Sequence, residues 1–335
     1  MVFRRILVIQ TAFIGDVILA TSLLETLHSS LPDSRIDVLV RKGNESLFRG
    51  HPFLSEVLVW DKKGGKYRNL FKLLGQIRKN SYDVVINLQR YSTTGFLTVL
   101  SGARMTIGFS KNPLSRLFSR RYPHRFENGM HETWRNHLLL ESITQAPLQK
   151  PRLYPLEDDL QKIASLQEEP YYCIAPTSVW FTKQFPVDQW VKLVDQLPKS
   201  HRIYLLGAPA DGGTADELIR KSARDGVINL CGKLSFLQSA ALMKGAALNY
   251  VNDSAPMHLC SAVDAPVCAV YCSTIPAFGY GPLSAESYVV ETHAPLTCRP
   301  CGLHGHKACP EGHFACATGI EIRELAALAA RAGDV

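Results

Sequence analysis

Short apolar runs rich in β-branched residues alternate with segments of helical periodicity along most of the chain, and this alternation starts twice. One series begins at residues 5–10 and the other at residues 171–175. Continuous apolar runs of this length are typical of strands buried on both faces, and their alternation with helices predicts βαβ units and parallel sheets. The fold class is therefore α/β, with two doubly wound domains.

Each series predicts five strands, with helices between most of them. The first predicts strands at 5–10, 36–40, 57–60, 84–88 and 105–108, and helices at 17–27, 70–78 and 130–143. The second predicts strands at 171–175, 202–206, 227–230, 247–251 and 267–271, and helices at 187–197, 215–222, 236–243, 257–263 and 320–331.

A proline-rich segment separates the two series. Residues 146–159 contain three prolines and a change in charge, which is typical of a linker. A chain of 335 residues also exceeds the size of one ordinary core. We therefore predict domains at 1–150 and 151–319, followed by a C-terminal helix at 320–335 that can pack across the domains.

The net charge of +7 is unevenly distributed. Residues 1–150 contain 22 Lys and Arg against 11 Asp and Glu, whereas residues 151–335 contain 15 against 19. An anionic partner facing the first half explains this difference, and an unevenly charged solvated surface explains it equally well.

The apolar residues argue against a membrane-embedded chain. No stretch approaches the roughly 18 consecutive apolar residues of a membrane-spanning helix. The apolar run at the start is interrupted at Gln10, and no small-residue cleavage site follows it. We expect a cytoplasmic protein.

Three loops that join a strand to a helix carry polar residues. In open parallel sheets, ligands bind beyond the carboxyl ends of the strands, where such loops lie. The first loop leads to Asp16, which can accept a proton or cap the helix. The second contains Thr177, Ser178 and Lys183, which can bind phosphate or form a solvated loop. The third, at 252–258, contains Asp253 and Ser254, either of which can cap a helix whose free N–H groups make an anion site. The dinucleotide fingerprint and the P-loop are both absent.

Together these loops resemble the motifs of glycosyltransferase family 9, the ADP-heptose:lipopolysaccharide heptosyltransferases, over nearly the whole chain. The matching segments are ILVIQTAFIGDVILATSLLETL at 6–27, TS and KQFP at 177–178 and 183–186, NLCGKLSF at 229–236, NDSAPMH at 252–258 and YGPLS at 280–284. The resemblance implies the GT-B architecture, in which two Rossmann-like domains flank a cleft. It also implies that the first domain binds the acceptor and the second binds the nucleotide sugar.

The resemblance assigns roles to individual residues. Asp16 matches the general base, and Lys183 matches the lysine that contacts the leaving diphosphate. The donor-binding residues implied are Thr177, Ser178, Lys183, Asp211, Asp253, Ser254 and His258. Ala255 replaces the glycine that is usual in the family, which puts close approach of the backbone to phosphate in doubt at this position. The implied reaction is an inverting, metal-independent transfer of a heptose from an ADP-sugar to lipopolysaccharide core.

The same resemblance gives a functional interpretation of the basic stretch at 115–125. Its arginines can bind the phosphates of a lipid-linked glycan acceptor or contact the inner membrane face, and an ordinary solvated loop is the alternative. The acceptor-binding candidates are Arg116, Arg120, Arg121 and Arg125.

Four of the nine cysteines lie close together in the sequence. Cys298, Cys301, Cys309 and Cys316 can bind structural zinc, but only the first pair has the spacing of a zinc ribbon. Reduced thiols are the favoured alternative in a cytoplasmic protein. Other GT-B enzymes, using a different nucleotide sugar or acting as epimerases, stay open, as does a zinc-containing nucleic-acid-binding protein. Few aromatic residues lie among the basic ones, so we expect no nucleic acid partner.

Overall fold

Two six-stranded parallel sheets organise the chain. The computed structural model describes residues 3–63, 65–126 and 129–332, and the chain divides into units of residues 1–154 and 155–335. Every strand pairing in both sheets is parallel. Because parallel strands require crossover connections, helices link most of them, as the alternating sequence pattern predicts.

The first unit contains strands β1 to β6 and helices α1 to α4. The strands are β1 (Arg5–Ile9), β2 (Arg35–Arg41), β3 (Leu54–Trp60), β4 (Val84–Asn87), β5 (Met105–Phe109) and β6 (Arg120–Tyr122). The helices are α1 (Ile14–Ser30), α2 (Lys66–Asn80), α3 (Ser92–Val99) and α4 (Glu132–His137). The strands are arranged in the order β3-β2-β1-β4-β5-β6.

The second unit contains strands β7 to β12 and helices α5 to α11. The strands are β7 (Tyr171–Ala175), β8 (Arg202–Leu205), β9 (Val227–Asn229), β10 (Leu248–Asn252), β11 (Val267–Tyr271) and β12 (Ser287–Glu291). The helices are α5 (Glu157–Ile163), α6 (Val187–Gln196), α7 (Gly212–Lys221), α8 (Phe236–Gly245), α9 (Ala255–Val263), α10 (Ala315–Thr318) and α11 (Ile322–Ala332). The strands are arranged in the order β12-β11-β10-β7-β8-β9.

The two sheets have the same topology. In each unit the first strand lies at the centre, between the second strand and the fourth. The order of strands therefore reverses between β1 and β4 in the first unit, and between β7 and β10 in the second. Crevices at the carboxyl ends of such strand pairs are the usual ligand sites of open α/β sheets. The fold thus indicates one such position in each unit.

Central strands are recognisable because both of their faces are covered. The strands β7, β10 and β11 are buried along their whole length. Five of these elements were not predicted: the helices α3, α5 and α10 and the edge strands β6 and β12. The predicted helix at 130–143 is shorter, since α4 ends at His137 and a 3₁₀ turn, Leu138–Leu140, follows it.

The proline-rich segment is attached to α1. The backbone N–H of Gln149 donates to the hydroxyl of Thr26 at 3.1 Å, and that of Arg152 donates to the hydroxyl of Thr21 at 2.9 Å. These bonds satisfy backbone groups that an extended segment cannot pair with itself. The segment therefore follows a helix of the first unit before α5 begins at Glu157.

The last helix belongs to the core of the second unit. Leu325, Leu328 and Ala329 of α11 are buried in the same apolar cluster as Trp190 of α6. The hydroxyl of Tyr250, in β10, also donates to the carbonyl of Leu325 at 3.0 Å. The helix thus covers one face of the second sheet.

We find no helix among the described ranges with the length and apolar character needed to cross a bilayer.

Candidate active site

Asp16 lies at the strand-order reversal of the first sheet. The strand β1 ends at Ile9, a four-residue loop follows, and Asp16 is the third residue of α1. Two long side chains fix this loop: the Asn44 amide donates to the carbonyl of Ala12 at 3.2 Å, and the Lys62 ammonium donates to the carbonyl of Thr11 at 2.9 Å. The backbone ahead of Asp16 is therefore well defined.

The environment of Asp16 favours the protonated carboxyl. Burial, followed by the negative charge of Glu132, raises its pKa to about 7. The backbone N–H groups of Asp16 and Phe13 and the guanidinium of Arg41 oppose this rise. A carboxylate with a pKa near neutrality can both accept a proton and release it, which is the property a general base needs. The structure thus gives Asp16 a suitable acidity for this role.

Glu132, which raises the pKa of Asp16, is itself a buried carboxylate. It begins α4, is 6% exposed, and accepts a 2.7 Å bond from Nε of Arg135, which is 1% exposed. The ring Nε2 of His124 lies 3.1 Å from both of its oxygens. Burial alone would raise the pKa of Glu132, but His124 and Arg135 together lower it. Glu132 therefore keeps its charge.

Sequence reasoning missed Glu132 and Arg135. Their i, i+3 spacing within the predicted helix at 130–143 allows a charge pair, but such pairs are common on solvated helix faces. Only the fold shows that this pair is buried.

In the second unit, Asn252 links the loops at the strand-order reversal. It ends β10, and its amide donates to the carbonyls of Ala175 and Thr177, each at 3.3 Å. Its side-chain oxygen accepts the backbone N–H of Phe185 at 2.8 Å. One buried amide therefore holds both ends of the loop that carries Thr177, Ser178 and Lys183.

Lys183 and Asp253 form an ion pair at this edge. The Lys183 Nζ lies 2.7 Å from Oδ2 of Asp253, and the side chains are 15% and 8% exposed. The Thr274 hydroxyl, located beyond β11, donates to the same oxygen at 2.6 Å. Loops after β7, β10 and β11 thus meet at one carboxylate. Thr274 was not predicted, although inspection of every strand end would have found it.

Hydrogen bonds from two other segments hold the 3₁₀ turn that carries Lys183. The Thr182 hydroxyl oxygen accepts bonds from the Ser273 hydroxyl at 3.0 Å and from the backbone N–H of His306 at 2.7 Å. The backbone N–H of Thr182 donates to the carbonyl of His306 at 3.1 Å. The segment that contains the clustered cysteines is therefore attached directly to the turn of Lys183.

The other predicted donor residues surround this edge. Thr177 and Ser178 are partly exposed in the loop after β7, and Ser254 is the partly exposed N-cap of α9. His258 is buried in the second turn of α9. Asp211 lies beyond β8, where its carboxylate accepts the backbone N–H of Ala208 at 2.7 Å.

Two of the predicted acceptor arginines lie in the edge strand of the first sheet. Arg116, Arg120, Arg121 and Arg125 are all exposed. Arg120 and Arg121 belong to β6, an edge strand three positions from β1 in the sheet. Neighbouring strands are about 4.8 Å apart, so these arginines are on the order of 14 Å from β1. This spacing separates Arg120 and Arg121 from Asp16, whereas the carbonyl of Arg125 accepts a 3.4 Å bond from Arg135, the partner of Glu132.

All nine cysteines are free thiols. Cys316 is buried, whereas Cys298, Cys301 and Cys309 are partly buried, and Sγ of Cys298 lies 3.9 Å from Nε2 of His313. Burial and the three other thiols raise the pKa of Cys316 to about 11. Within residues 3–63, 65–126 and 129–332, no group of three or more His, Cys, Asp or Glu side chains is arranged to hold a metal ion.

Known proteins resemble the chain in sequence and in structure. The profile of glycosyltransferase family 9 (heptosyltransferase) matches residues 70–311. Lipopolysaccharide heptosyltransferase 3 of Escherichia coli K12 is 26% identical over 275 residues, covering 78% of this chain and 80% of that protein.

Two solved structures superimpose over 98% of the chain. A family 9 glycosyltransferase from Veillonella parvula does so with a TM-score of 0.85 at 24% identity, covering 96% of that chain. The E. coli heptosyltransferase WaaC with ADP does so with a TM-score of 0.73 at 20% identity, covering 99% of that chain. These likenesses confirm the predicted α/β fold of two Rossmann-like domains, the GT-B fold.

Proposed function

The chain belongs to glycosyltransferase family 9 and is a glycosyltransferase, and we propose that it transfers a heptose from an ADP-sugar to lipopolysaccharide core with inversion of the anomeric carbon. The names of its relatives support the sugar and the acceptor, since the E. coli relative is a lipopolysaccharide heptosyltransferase. The ADP bound to the related WaaC structure supports the nucleotide.

The first unit supplies the base in this proposal. An acceptor hydroxyl attacks the anomeric carbon of the donor, and its proton passes to the carboxylate of Asp16 as the new C–O bond forms. The observation that carries this assignment is the position of Asp16 at the strand-order reversal, in surroundings that raise its pKa to about 7. A positioned base typically contributes 10²–10⁴-fold to a rate.

The second unit stabilises the leaving group. The bond between the anomeric carbon and the diphosphate breaks, and ADP leaves with the electron pair and its negative charge. Lys183 can neutralise part of that charge, and the first backbone N–H groups of α9 add a favourable dipole. Thr177 and Ser178 lie on the same loop as Lys183 and can donate hydroxyl hydrogen bonds to phosphate.

Asp253 has a different part in this site. An ionised carboxylate can only accept hydrogen bonds, so it cannot donate one to a phosphate oxygen. Its contacts with Lys183 and Thr274 support a positioning role, in which it holds the ammonium group for the diphosphate. Its carboxylate can also accept a bond from a donor sugar hydroxyl. Ser254 and His258, near the start of α9, are further candidates for binding the donor phosphates. Asp211 is the candidate for binding the ribose.

We propose that the acceptor is phosphorylated and lipid-linked, and that the enzyme meets it at the cytoplasmic face of the inner membrane. The excess of positive charge in the first unit supports an anionic acceptor. Arg116, Arg120, Arg121 and Arg125 are exposed and available for phosphate. Binding to vesicles with anionic lipids, lost at high salt, tests the membrane contact. Binding that does not depend on lipid charge or salt contradicts it.

The experiment that tests the function combines a donor panel with one acceptor. Purified protein is incubated with ADP-heptose, or with UDP- and GDP-sugars, and with deacylated core oligosaccharide from a heptose-deficient strain. The proposal predicts ADP release, a product heavier by one heptose, and an anomeric configuration opposite to that of the donor by NMR. Transfer from UDP- or GDP-sugars but not from ADP-heptose contradicts the donor, and retention of configuration contradicts the mechanism.

A further inference from the structure

Two exposed aromatic residues occupy equivalent positions beside Asp16. Phe13 lies four residues beyond the end of β1, and Tyr91 lies four residues beyond the end of β4. These strands are neighbours at the reversal of the first sheet. Phe13 is 59% exposed and Tyr91 is 53% exposed. Both rings therefore lie at the carboxyl edge of the sheet, where ligands of this fold bind.

Both aromatics stand where a capping residue normally would. Phe13 is the N-cap of α1 and Tyr91 is the N-cap of α3, and neither side chain caps its helix. Ser, Thr, Asp and Asn are favoured at this position because their side-chain oxygen accepts a backbone N–H of the first turn. The face of an aromatic ring offers no such oxygen. The helices α1 and α3, which follow the two strands at the reversal, therefore each begin at an exposed ring.

Each ring is accompanied by an arginine. The guanidinium carbon of Arg41 lies 4.9 Å from the ring centre of Phe13, and that of Arg90 lies 5.6 Å from the ring centre of Tyr91. Among the residues that the structure describes, neither arginine forms an ion pair at contact distance with a carboxylate, although the charge of Arg41 acts on Asp16. Guanidinium groups in this position keep their hydrogen-bond donors available for an anion while the ring supports them.

The two loops are connected and well supported. The Gln89 amide donates to the side-chain oxygen of Gln10, joining the loop after β4 to the loop after β1. The Asn112 amide donates to the carbonyls of Gln89 and Tyr91 at 2.9 and 3.0 Å. Asn44 and Lys62 hold the other loop, as described above. Rigid support of this kind is what a preformed binding surface requires.

We propose that Phe13 and Tyr91, with Arg41 and Arg90, form a platform that binds the ring of an anionic acceptor sugar beside Asp16. The electron-rich faces of the aromatic rings attract the C–H groups of the sugar, and the arginines bind its phosphate or carboxylate group. The inference rests on the proposed function, because it identifies the part of the enzyme that selects the acceptor.

The test replaces each aromatic by a residue that caps better. The variants Phe13→Ser and Tyr91→Ser lose the ring but gain a favoured N-cap, so their Tm should not fall. With the deacylated core acceptor, the double variant should raise the acceptor KM about tenfold while the Kd for ADP-heptose stays unchanged. Phe13→Trp, which retains an aromatic ring, should keep the low acceptor KM of the wild type. The control is Phe71→Ala, which removes a similarly exposed aromatic from α2, 61% exposed, and should change neither constant.

The anionic group is identified with two further acceptors. Arg41→Gln should raise the KM for the untreated acceptor above that of the wild type. One further acceptor is treated with phosphatase, and the other has its carboxyl groups reduced. The treatment that removes the group bound by Arg41 should make the KM values of the variant and the wild type equal. An unchanged acceptor KM in the double serine variant overturns the platform, as does an equal rise with Phe71→Ala. Absence of transfer by the wild-type protein overturns the proposed function instead, so the two failures are distinguishable.

Discussion

Lys183 and Asp253 are joined by an ion pair of 2.7 Å between Nζ and Oδ2 at the strand-order reversal of the second sheet. The Thr274 hydroxyl reaches the same oxygen at 2.6 Å. The pair is almost buried, so the ammonium is held in place rather than free to rotate in solvent. Held cations at strand ends are suited to bind a diphosphate because little entropy is lost when the ligand arrives.

Removing the ammonium group should weaken donor binding. We expect Lys183→Met to raise the Kd for ADP-heptose by about 10- to 100-fold, since a charged hydrogen bond is lost and Asp253 is left unpaired. Isothermal titration with ADP-heptose measures this. The control Lys221→Met removes an exposed ion pair with Asp188, 2.9 Å long, from the same unit and should leave the Kd unchanged. Equal affinity in Lys183→Met and wild type would show that Lys183 does not touch the donor.

Thr182 should act on the donor through Lys183. Thr182→Val keeps the shape of the side chain but removes the oxygen that accepts bonds from Ser273 and from the N–H of His306. We expect a higher KM for ADP-heptose and an unchanged KM for the acceptor, measured by steady-state kinetics. Thr182→Ser retains the oxygen and should restore the wild-type value. A rise in both KM values, not rescued by serine, would point to general loss of structure.

Glu132 and Arg41 should move the pH profile in opposite directions. Glu132 raises the pKa of Asp16 and Arg41 lowers it. The acidic limb of kcat/KM should therefore shift to lower pH in Glu132→Gln and to higher pH in Arg41→Gln. The measurement is kcat/KM for the acceptor at a series of pH values, with the donor at saturating concentration. Shifts in the same direction, or none, would mean that another group controls the limb. Circular dichroism checks that Glu132→Gln, which leaves Arg135 without its buried partner, is folded.

The acidity of Asp16 should also affect stability. Its pKa is about 7 in the folded protein against an ordinary value of 3.8, so the folded state binds a proton that the unfolded state releases between these values. The contribution of Asp16 to the free energy of unfolding is therefore lost as pH rises from about 4 to about 7. Asp16→Asn removes this loss, and its stability relative to wild type should increase from pH 5 to pH 8 in urea unfolding. A difference that does not depend on pH would contradict the raised pKa.

The central strands could be predicted because the physics that buries them also marks the sequence. The strand β7 is apolar throughout and buried on both faces. The edge strands are different: β6 has only three residues, two of them exposed arginines, and β12 alternates in exposure. Pairing on one side requires no continuous apolar run, so these strands left no pattern to detect. The helix α3 was missed because five of its eight residues are Ser, Thr or Gly, so its buried face carries little apolar periodicity.

The candidate site divides in a similar way. Asp253 directly follows a buried strand, and Asp16 and Lys183 lie in the strand-to-helix connections after two others, where the rule for parallel sheets places ligand-binding residues. Glu132 is far from Asp16 in sequence and reaches it only through the tertiary structure. Arg41 ends β2 and Phe13 precedes α1, and an exposed aromatic at an N-cap has no distinctive sequence signal. Long-range contacts of this kind required the fold.

The most direct test of the account is the effect of Asp16→Asn on transfer and on donor binding. The account predicts that kcat falls by about 10²–10⁴-fold with ADP-heptose and the core acceptor, whereas the Kd for ADP-heptose stays near the wild-type value. It also predicts that the wild-type kcat/KM rises with pH through an apparent pKa of about 7 and that the residual activity of the variant lacks this limb. Near wild-type turnover in Asp16→Asn, or a collapse of donor affinity with turnover at saturating donor preserved, would contradict the assignment of Asp16 as the base.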